Sequence, residues 1–358
     1  MQKVEKPAPM ARRSLSREII LLRKWFSNLT LPPMDWIQVE VTSHCNATCS
    51  YCPRTVYRGA WRDRILSPKT FERLSVAFPK TKLVYLQGWG EPFLNPELMT
   101  MARIAKAAGC AVGTTTNGML LNAEMIRQLV ACGIDVLAFS LAGVDDGNDT
   151  LRRGTRLDTV VDAIRILHET KKKLGKQLPA VHIAYILLRS RLGDIERLPL
   201  FLKELAVDHV VLSTLDFVPC KALEDETIIP STVDEYEALR ARLEAVRQKT
   251  EQWGVGFHYR LHQPGGCHQS CTENVQRSLF VSADGEVSSC VFTNLPLPDE
   301  FNGYPNQERP YRRLSFGNLS EASIGDIWRA SAYRDFRKAF SENRLPSICE
   351  DCSKLFVG

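Results

Sequence analysis

Long apolar stretches are scarce in this chain of 358 residues. The longest uninterrupted ones, such as Ile19 to Leu22, are far shorter than the ~20 residues that span a bilayer. The start of the chain also lacks the basic, apolar and small-residue order of a secretory signal, so we expect a cytoplasmic protein. Sequence repeats are absent too, and a composition of 44% hydrophobic residues predicts a large packed core.

Basic surface is equally scarce outside the first 30 residues. Residues 1–30 carry seven Lys and Arg against two Glu, which accounts for the whole net charge of +5. The rest of the chain is close to neutral, so it lacks the general positive surface that dominates nucleic-acid binding. The basic arm is either a solvated tail or a segment that holds an acidic peptide or partner.

Cysteine, by contrast, is abundant, with eleven residues. A disulfide scaffold of that kind belongs to small secreted proteins, which this chain does not resemble. Cys110, Cys132 and Cys220 stand singly beside apolar residues and are predicted to be core thiols. The other eight cluster toward the two ends of the chain, which indicates metal binding.

The first cluster is a C-x-x-x-C-x-x-C run formed by Cys45, Cys49 and Cys52. Three thiolates on one short loop can hold three corners of a four-iron, four-sulfide cluster and leave the fourth iron open to a small molecule. The alternative is a structural zinc ion, which needs four ligands. His44 could be the fourth, but it adjoins Cys45, which makes tetrahedral closure awkward.

The chain after Pro32-Pro33 alternates short β-branched runs with amphipathic stretches, a pattern typical of βαβ units and a parallel sheet. Right-handed crossovers would curl this sheet into a full or partial barrel, with its functional face at the carboxyl ends of the strands. The cysteine loop directly follows the first predicted strand. The predicted strands are Trp36–Val41, Leu83–Leu86, Ala111–Thr116, Val136–Leu141, Val181–Leu187 and His209–Ser213, and the predicted helices are Pro68–Ala77, Pro96–Ala108, Ala123–Cys132, Asp158–Leu174 and Asp194–Leu205.

A long polar helix, predicted over Val233–Gln252, precedes a change in composition. From Trp253 onward glycine, proline, serine and five cysteines dominate. We therefore expect a basic extension over residues 1–34, a barrel over 35–252 and a smaller cysteine-rich domain over 253–358.

A glycine-rich turn, Gly88-Trp89-Gly90-Glu91-Pro92, follows the second predicted strand. Glycines at a strand end let backbone groups approach a ligand closely, because no Cβ intervenes. The Glu91 carboxylate could accept hydrogen bonds from an ammonium group. Alone this turn is a common structural device, but about forty residues after the cysteine loop it becomes specific.

Together these segments resemble the radical S-adenosylmethionine (SAM) superfamily. Its cluster loop has an aromatic residue, here Tyr51, before the last cysteine, and its Gly-Gly-Glu-Pro motif appears here as G-x-G-E-P. Two strand endings also look like family features, namely GTTTNG with Asn117 and FSLAG with Ser140. The stretch NDTLRRGT at 148–155 resembles the family segment after the fourth strand.

The resemblance implies an α/β fold, a partial (β/α)6 TIM-like barrel, in which the open iron chelates the amino and carboxylate groups of SAM. One electron would then release a 5′-deoxyadenosyl radical that takes a hydrogen atom from substrate. Glu91 would hold the SAM ammonium region, Ser140 and Arg152 its polar end, and Tyr51 would pack near the adenine. Alternatively, Ser140 caps the following turn and Arg152 pairs only with Asp149. The implied cofactor-binding set is Tyr51, Gly88, Gly90, Glu91, Pro92, Asn117, Ser140 and Arg152.

The second cysteine cluster has the spacing C-x13-G-x4-C, which predicts a hairpin turn at Ala283-Asp284-Gly285 between two ligands. A distant C-x-x-C would close the site, and by spacing alone it could hold zinc. Its candidate ligands are Cys267, Cys271, Cys290, Cys349 and Cys352.

Beside the radical SAM motifs, this region resembles the SPASM or twitch extension, which holds auxiliary four-iron clusters. The segment Phe316–Phe340, with its glycine–asparagine start and Asp-Ile-Trp, reads like the helical part of that extension. The full extension has three further cysteines after its C-x-x-C, whereas this chain ends six residues after Cys352. The resemblance therefore implies one auxiliary cluster, closed by Cys271, Cys290, Cys349 and Cys352; if Cys267 also binds, one of the terminal pair is spare.

Three functions are compatible with this pattern. The first is oxidative modification of a peptide or protein, in which the auxiliary cluster accepts an electron from the substrate radical. The second is dehydrogenation of a small alcohol or sugar-like substrate, and the third is a non-catalytic metal-stabilised binding module. A flavodoxin or ferredoxin would serve as electron donor. Asp216, Tyr259 and His262 are possible acid–base residues, and none is assigned a catalytic role.

Overall fold

The computed structural model describes residues 31–265, 270–298, 301, 311–350, 352 and 354–356. The basic arm and Cys267 lie outside these residues. The strands are β1 (Met34–Val39), β2 (Thr81–Leu86), β3 (Ala111–Thr116), β4 (Val136–Leu141), β5 (Ala180–Leu187), β6 (His209–Thr214), β7 (Gly256–Tyr259), β8 (Ser270–Cys271), β9 (Ser278–Val281), β10 (Val287–Ser288) and β11 (Leu355–Phe356). The α-helices are α1 (Pro53–Val56), α2 (Pro68–Glu72), α3 (Leu98–Ala107), α4 (Ala123–Cys132), α5 (Gly147–Leu151), α6 (Leu157–Leu174), α7 (Leu198–Leu205), α8 (Val233–Glu251), α9 (Ile324–Arg329) and α10 (Ser331–Ser341).

The main sheet has nine strands in the order β10-β9-β1-β2-β3-β4-β5-β6-β7. All neighbours are parallel except β9 and β10. The sheet is open, with β7 and β10 as its edges. The prediction of a partial TIM-like barrel is confirmed, and the carboxyl ends of β1 to β6 gather at one face.

Local sequence explains why the helices outside this sheet begin where they do. Asn122 precedes α4 and accepts a hydrogen bond from the Met125 amide, and Thr232 caps α8 in the same way through Glu235. The helix α4 ends at Gly133, whose φ of 72° suits glycine. The helices bury apolar stripes against the sheet, as α4 does with Ile126, Leu129 and Val130.

Two helix predictions are wrong by four or five residues at one bound, whereas the other helices differ by at most two. The helix α2 ends at Glu72, not at Ala77, and the chain continues through turns over 73–77 into a 3-10 helix at Phe78–Lys80. The helix α7 begins at Leu198, not at Asp194, since Pro199 is suited to the first turn of a helix.

The carboxy-terminal region joins the main sheet directly. Strand β9 pairs in parallel with β1, the strand that leads into the cysteine loop, and β10 continues the hairpin. A two-stranded sheet of β8 and β11 brings Cys271 opposite Leu355. Among the described residues, no helix has the length and apolar character to cross a bilayer.

Candidate functional site

The cysteine loop lies at the carboxyl end of β1. Hydrogen bonds from Thr48 N to Arg153 O (2.7 Å) and from Ser50 N to Leu151 O (2.8 Å) fix it against the segment after β4. Burial, assisted by the neighbouring Cys49, raises the pKa of Cys52 to about 12. A bare Cys52 thiol would therefore stay protonated at neutral pH, and a metal would stabilise its thiolate form.

The glycine-rich turn packs backbone to backbone on this loop. Glu91 N donates to His44 O at 2.7 Å. A Cβ on Gly90 would overlap the carbonyl oxygens of Thr42 and His44, and a Cβ on Gly88 would overlap the Glu40 side chain. Glycine is therefore required at both positions because the neighbouring atoms leave no room for a Cβ, regardless of which ligand binds at the site.

The Glu91 carboxylate is 2% exposed and is held by the chain itself. It accepts hydrogen bonds from Thr116 Oγ1 and Asn117 N, both at 2.7 Å, and from Phe93 N at 3.3 Å. Burial raises its pKa to about 6, although these hydrogen bonds oppose the rise. Glu91 thus links the turn to the end of β3, and its contact with SAM stays a prediction.

Asn117 connects the end of β3 to the cysteine loop. Its Nδ2 donates to Asn46 Oδ1 at 2.8 Å and lies 3.9 Å from Cys45 Sγ. Its Oδ1 accepts from Met119 N at 3.0 Å. This amide therefore orients the loop beside its first cysteine.

Arg152 contacts Tyr51, which lies in the cysteine loop between Cys49 and Cys52. The Arg152 guanidinium donates to Tyr51 Oη at 2.6 Å, and it is 8% exposed. Its Nε is buried without a partner among the described residues. Asp149 does not pair with it; the Asp149 carboxylate accepts from Leu157 N and Asn148 Nδ2. An orphaned guanidinium N–H at this position fits an anionic group such as a carboxylate.

A cavity of about 370 Å³ lies at the carboxyl ends of the strands. Tyr51, Cys52, Ser140 and Arg152 line one wall. Asn148, not Ser140, holds the turn after β4, since its Oδ1 accepts from Ala142 N at 3.0 Å. Residues at the end of β6 and in the carboxy-terminal region also line the cavity: Asp216, Phe217, Glu273, Val291, Phe292 and Lys354.

Four of the five carboxy-terminal cysteines lie together. Cys271 is in β8, Cys290 follows β10, and Cys352 N donates to Cys349 O at 3.2 Å. Burial raises the pKa of Cys271 to about 12 and of Cys290 to about 11, and Cys352 influences both. Cys267 lies outside the described residues, so its role stays a prediction.

The described cysteines do not form a ready-made site for a single metal ion. Zinc draws its ligands to about 2.3 Å from one centre. Within the described residues, no three His, Cys, Asp or Glu side chains converge in that way.

Sequence reasoning missed an ion pair on the cavity wall. Lys354 Nζ lies 2.6 Å from Asp216 Oδ2 and 3.6 Å from Glu273 Oε1. Asp216, a candidate from the sequence, thus faces the cavity, whereas Tyr259 Oη donates to Glu244 on α8. Lys354 follows Cys352 closely, but no local pattern links it to the end of β6.

An aromatic patch on the same wall was also missed. Trp89, Phe217 and Phe292 pack together with ring centroids 5.7 to 6.3 Å apart. Trp89 occupies the x position of the G-x-G-E-P turn. This aromatic residue within the motif is the one local feature from which the patch could have been predicted. The cavity therefore combines an aromatic surface with buried charges.

Comparisons with protein families cover most of the chain. The Radical SAM superfamily model matches residues 39–213. The SPASM model, described as an iron–sulfur cluster-binding domain, matches residues 271–353. These matches include all three cysteines of the first cluster and the four grouped cysteines of the second.

Similar proteins extend over nearly the whole chain. A tungsten-containing aldehyde ferredoxin oxidoreductase cofactor-modifying protein of Pyrococcus furiosus is 26% identical over 327 residues, covering 89% of this chain and 87% of the relative. A PqqA peptide cyclase of Xanthomonas campestris pv. campestris is 23% identical over 333 residues, covering 91% and 81%. The crystal structure of Streptococcus suis SuiB bound to S-adenosylmethionine shares the fold, with a TM-score of 0.62 at 17% identity over 94% of this chain and 75% of that one.

Proposed function

Because this chain belongs to the radical SAM superfamily and ends in a SPASM domain, we propose that it oxidatively modifies a peptide or protein. The observation that carries the proposal is the shared cavity. Its lining includes residues of the first cysteine loop and residues beside Cys271 and Cys290. A substrate group held there would be near residues of both candidate metal centres, which suits a reaction that removes both a hydrogen atom and an electron.

The chain's residues divide between the two centres. Cys45, Cys49 and Cys52 would hold a four-iron cluster with SAM, which supplies a 5′-deoxyadenosyl radical when bound and reduced. Cys271, Cys290, Cys349 and Cys352 would hold the auxiliary cluster. Arg152 Nε would bind the SAM carboxylate, and the Glu91 hydrogen bonds would keep the ends of β2 and β3 in place beneath it.

The relatives support a peptide or protein substrate, since one of them is named as a peptide cyclase. The second candidate is a small alcohol or sugar-like substrate. The cavity volume of about 370 Å³ supports it, because a pocket of that size holds a small ligand or a single side chain of a larger one. The family match speaks against a non-catalytic binding module. Reducing electrons would come from a flavodoxin or ferredoxin.

Deuterium transfer can separate the two substrate classes even while the substrate itself is unidentified. Cells of the source organism are grown on deuterated medium, and their extract is divided by ultrafiltration into macromolecules and small molecules. The reconstituted enzyme, dithionite and unlabelled SAM are added to each fraction, and 5′-deoxyadenosine is analysed by mass spectrometry. Deuterium in the product from the macromolecular fraction alone is expected; label from the small-molecule fraction alone would favour the alcohol dehydrogenase.

Arg152→Gln is expected to weaken SAM binding about tenfold to a hundredfold, because a buried hydrogen bond to a charged group contributes about 1.5–3 kcal/mol. Isothermal titration of the anaerobic holoenzyme measures the change. The matched control is Arg153→Gln, since Arg153 is the exposed neighbour. Equal SAM affinity in the two variants would remove Arg152 from the SAM site.

A further inference from the structure

Glu40 is a buried carboxylate for which the sequence analysis gave no role. It follows β1 immediately, five residues before Cys45, and its side chain is 0% exposed. Its backbone N–H donates to Val281 O at 2.8 Å, which continues the pairing of β1 with β9. The residue therefore stands where the first strand, the cysteine loop and the carboxy-terminal hairpin meet.

The two carboxylate oxygens of Glu40 bind two different loops. Oε1 accepts from Trp89 N of the glycine-rich turn at 2.9 Å. Oε2 accepts from Ala283 N at 3.2 Å. Ala283 lies in the turn of the β9–β10 hairpin, which is closed by Gly285 N donating to Ser282 O and leads on to Cys290.

The surroundings leave Glu40 little freedom. Gly88 must lack a side chain because a Cβ there would overlap Glu40. On the hairpin side, Arg313 forms two hydrogen bonds of 2.6 Å with Asp284 and so holds the turn. The Trp89 indole also donates to Val291 O at 3.2 Å, beside Cys290. The glycine-rich turn is thus joined to the carboxy-terminal region at two points.

We propose that Glu40 is a positioning residue that joins the glycine-rich turn to the carboxy-terminal hairpin, so that SAM affinity depends on where that hairpin lies. The inference rests on the proposed function only in assigning SAM to the cavity. Glu40 acts through Trp89 and Glu91 and does not itself contact the cavity. A disturbance near the auxiliary cysteines would reach the SAM side through this carboxylate, in addition to the contact between the Trp89 indole and Val291 O.

The protonation state of Glu40 provides a signature that a purely structural residue would not show. Burial raises its pKa to about 7; the two backbone N–H groups and Arg313 oppose the rise, and Asp284 adds to it. Ionised, the carboxylate offers an acceptor to each N–H. Protonated, one oxygen becomes a hydroxyl and that loop loses its acceptor.

The signs of the two pH effects are opposite. The folded pKa of about 7 lies above the ordinary value of 4.5, so this group's contribution to stability is present below pH 4.5 and is lost as the pH rises through 7. SAM affinity should instead rise over the same interval, because the ionised form holds both loops. This opposition separates positioning from simple stabilisation.

The test compares Glu40→Gln with Glu286→Gln in the anaerobic holoenzyme. Glu286 is on the same hairpin, and its carboxylate accepts hydrogen bonds from Asn318 and Ser315, so it controls for loss of a charge there. At pH 8, Glu40→Gln is expected to bind SAM about tenfold more weakly, because its amide NH₂ faces one of the two N–H donors. Isothermal titration gives the affinity, and iron analysis shows whether both centres are retained.

When the pH is lowered from 8 to 6, the wild type and Glu286→Gln are expected to lose SAM affinity. The affinity of Glu40→Gln should change only by the amount that protonation of the SAM amino group causes. Unchanged affinity in Glu40→Gln, or the same pH dependence in all three proteins, would overturn the proposal. A pH-independent affinity in the wild type would do so even if Glu40→Gln did not fold. Neither measurement needs substrate, so a failed deuterium-transfer experiment would leave this result standing.

Discussion

Replacing Cys45, Cys49 and Cys52 together with Ala is expected to abolish reductive SAM cleavage. The wild type, reconstituted anaerobically, should contain about eight irons and eight sulfides per chain, and the triple variant about four of each, since a four-iron cluster needs its cysteine ligands. The remaining irons belong to the carboxy-terminal site, whose grouped cysteines lie on β8, after β10 and in the final turn. Liquid chromatography of 5′-deoxyadenosine and elemental analysis measure both outcomes.

Cys132→Ala is the matched control for that experiment. Cys132 ends α4, away from both cysteine groups, and alanine favours helix there. Its iron content and SAM cleavage should equal those of the wild type. Continued 5′-deoxyadenosine formation by the triple variant would remove the first cysteine loop from the reaction, and zinc in place of half the iron would make the carboxy-terminal site structural.

Cys290→Ala is expected to stop product formation while some uncoupled SAM cleavage continues. Cys290 is 8% exposed and adjoins Val291 and Phe292, which line the cavity, so the substitution alters the carboxy-terminal site and leaves the first cysteine loop unchanged. The variant should lose the carboxy-terminal irons and keep those of the first loop. The ratio of product to 5′-deoxyadenosine, measured with the substrate found by deuterium transfer, reports the uncoupling.

Cys110→Ala is the matched control for Cys290, because Cys110 is also buried but packs in the main core, with its Sγ 3.2 Å from Phe78 O. The Cys110→Ala variant should retain its iron and its ratio of product to 5′-deoxyadenosine, even if the small cavity left by the lost thiol lowers the free energy of unfolding. Full product formation by Cys290→Ala would show that the reaction needs no auxiliary cluster. That result would weaken the oxidative proposal and leave the SAM chemistry of the first loop intact.

Much of the fold could be predicted because its signals are local. The bounds of β3, β4 and α4 agree with the sequence prediction to the residue. A strand of alternating or continuous β-branched residues and a helix between an Asn cap and a Gly both carry their limits within a few positions. The prediction of α2 was wrong at its end because Leu74 and Ala77 continue the apolar periodicity of the helix, yet they are buried from turns that follow it.

The candidate site was predictable to the extent that its residues adjoin a motif. The cysteine loop and the glycine-rich turn each occupy one short stretch, so their spacing was visible. What each side chain contacts was not. Glu91 was predicted to meet a ligand, yet its described hydrogen bonds go to Phe93, Thr116 and Asn117.

The sequence by itself determined the chemistry available to this protein. The spacing of three cysteines on one loop and the glycines of one turn are local properties, and they can be read from the sequence without knowledge of the fold. Only the tertiary structure decided which distant groups share a cavity or a carboxylate. Glu40 and Ala283 are 243 positions apart, and Lys354 reaches Asp216 from the far end of the chain. Such contacts arise when β9 pairs with β1 and β11 with β8, and no pattern within a single segment encodes those pairings.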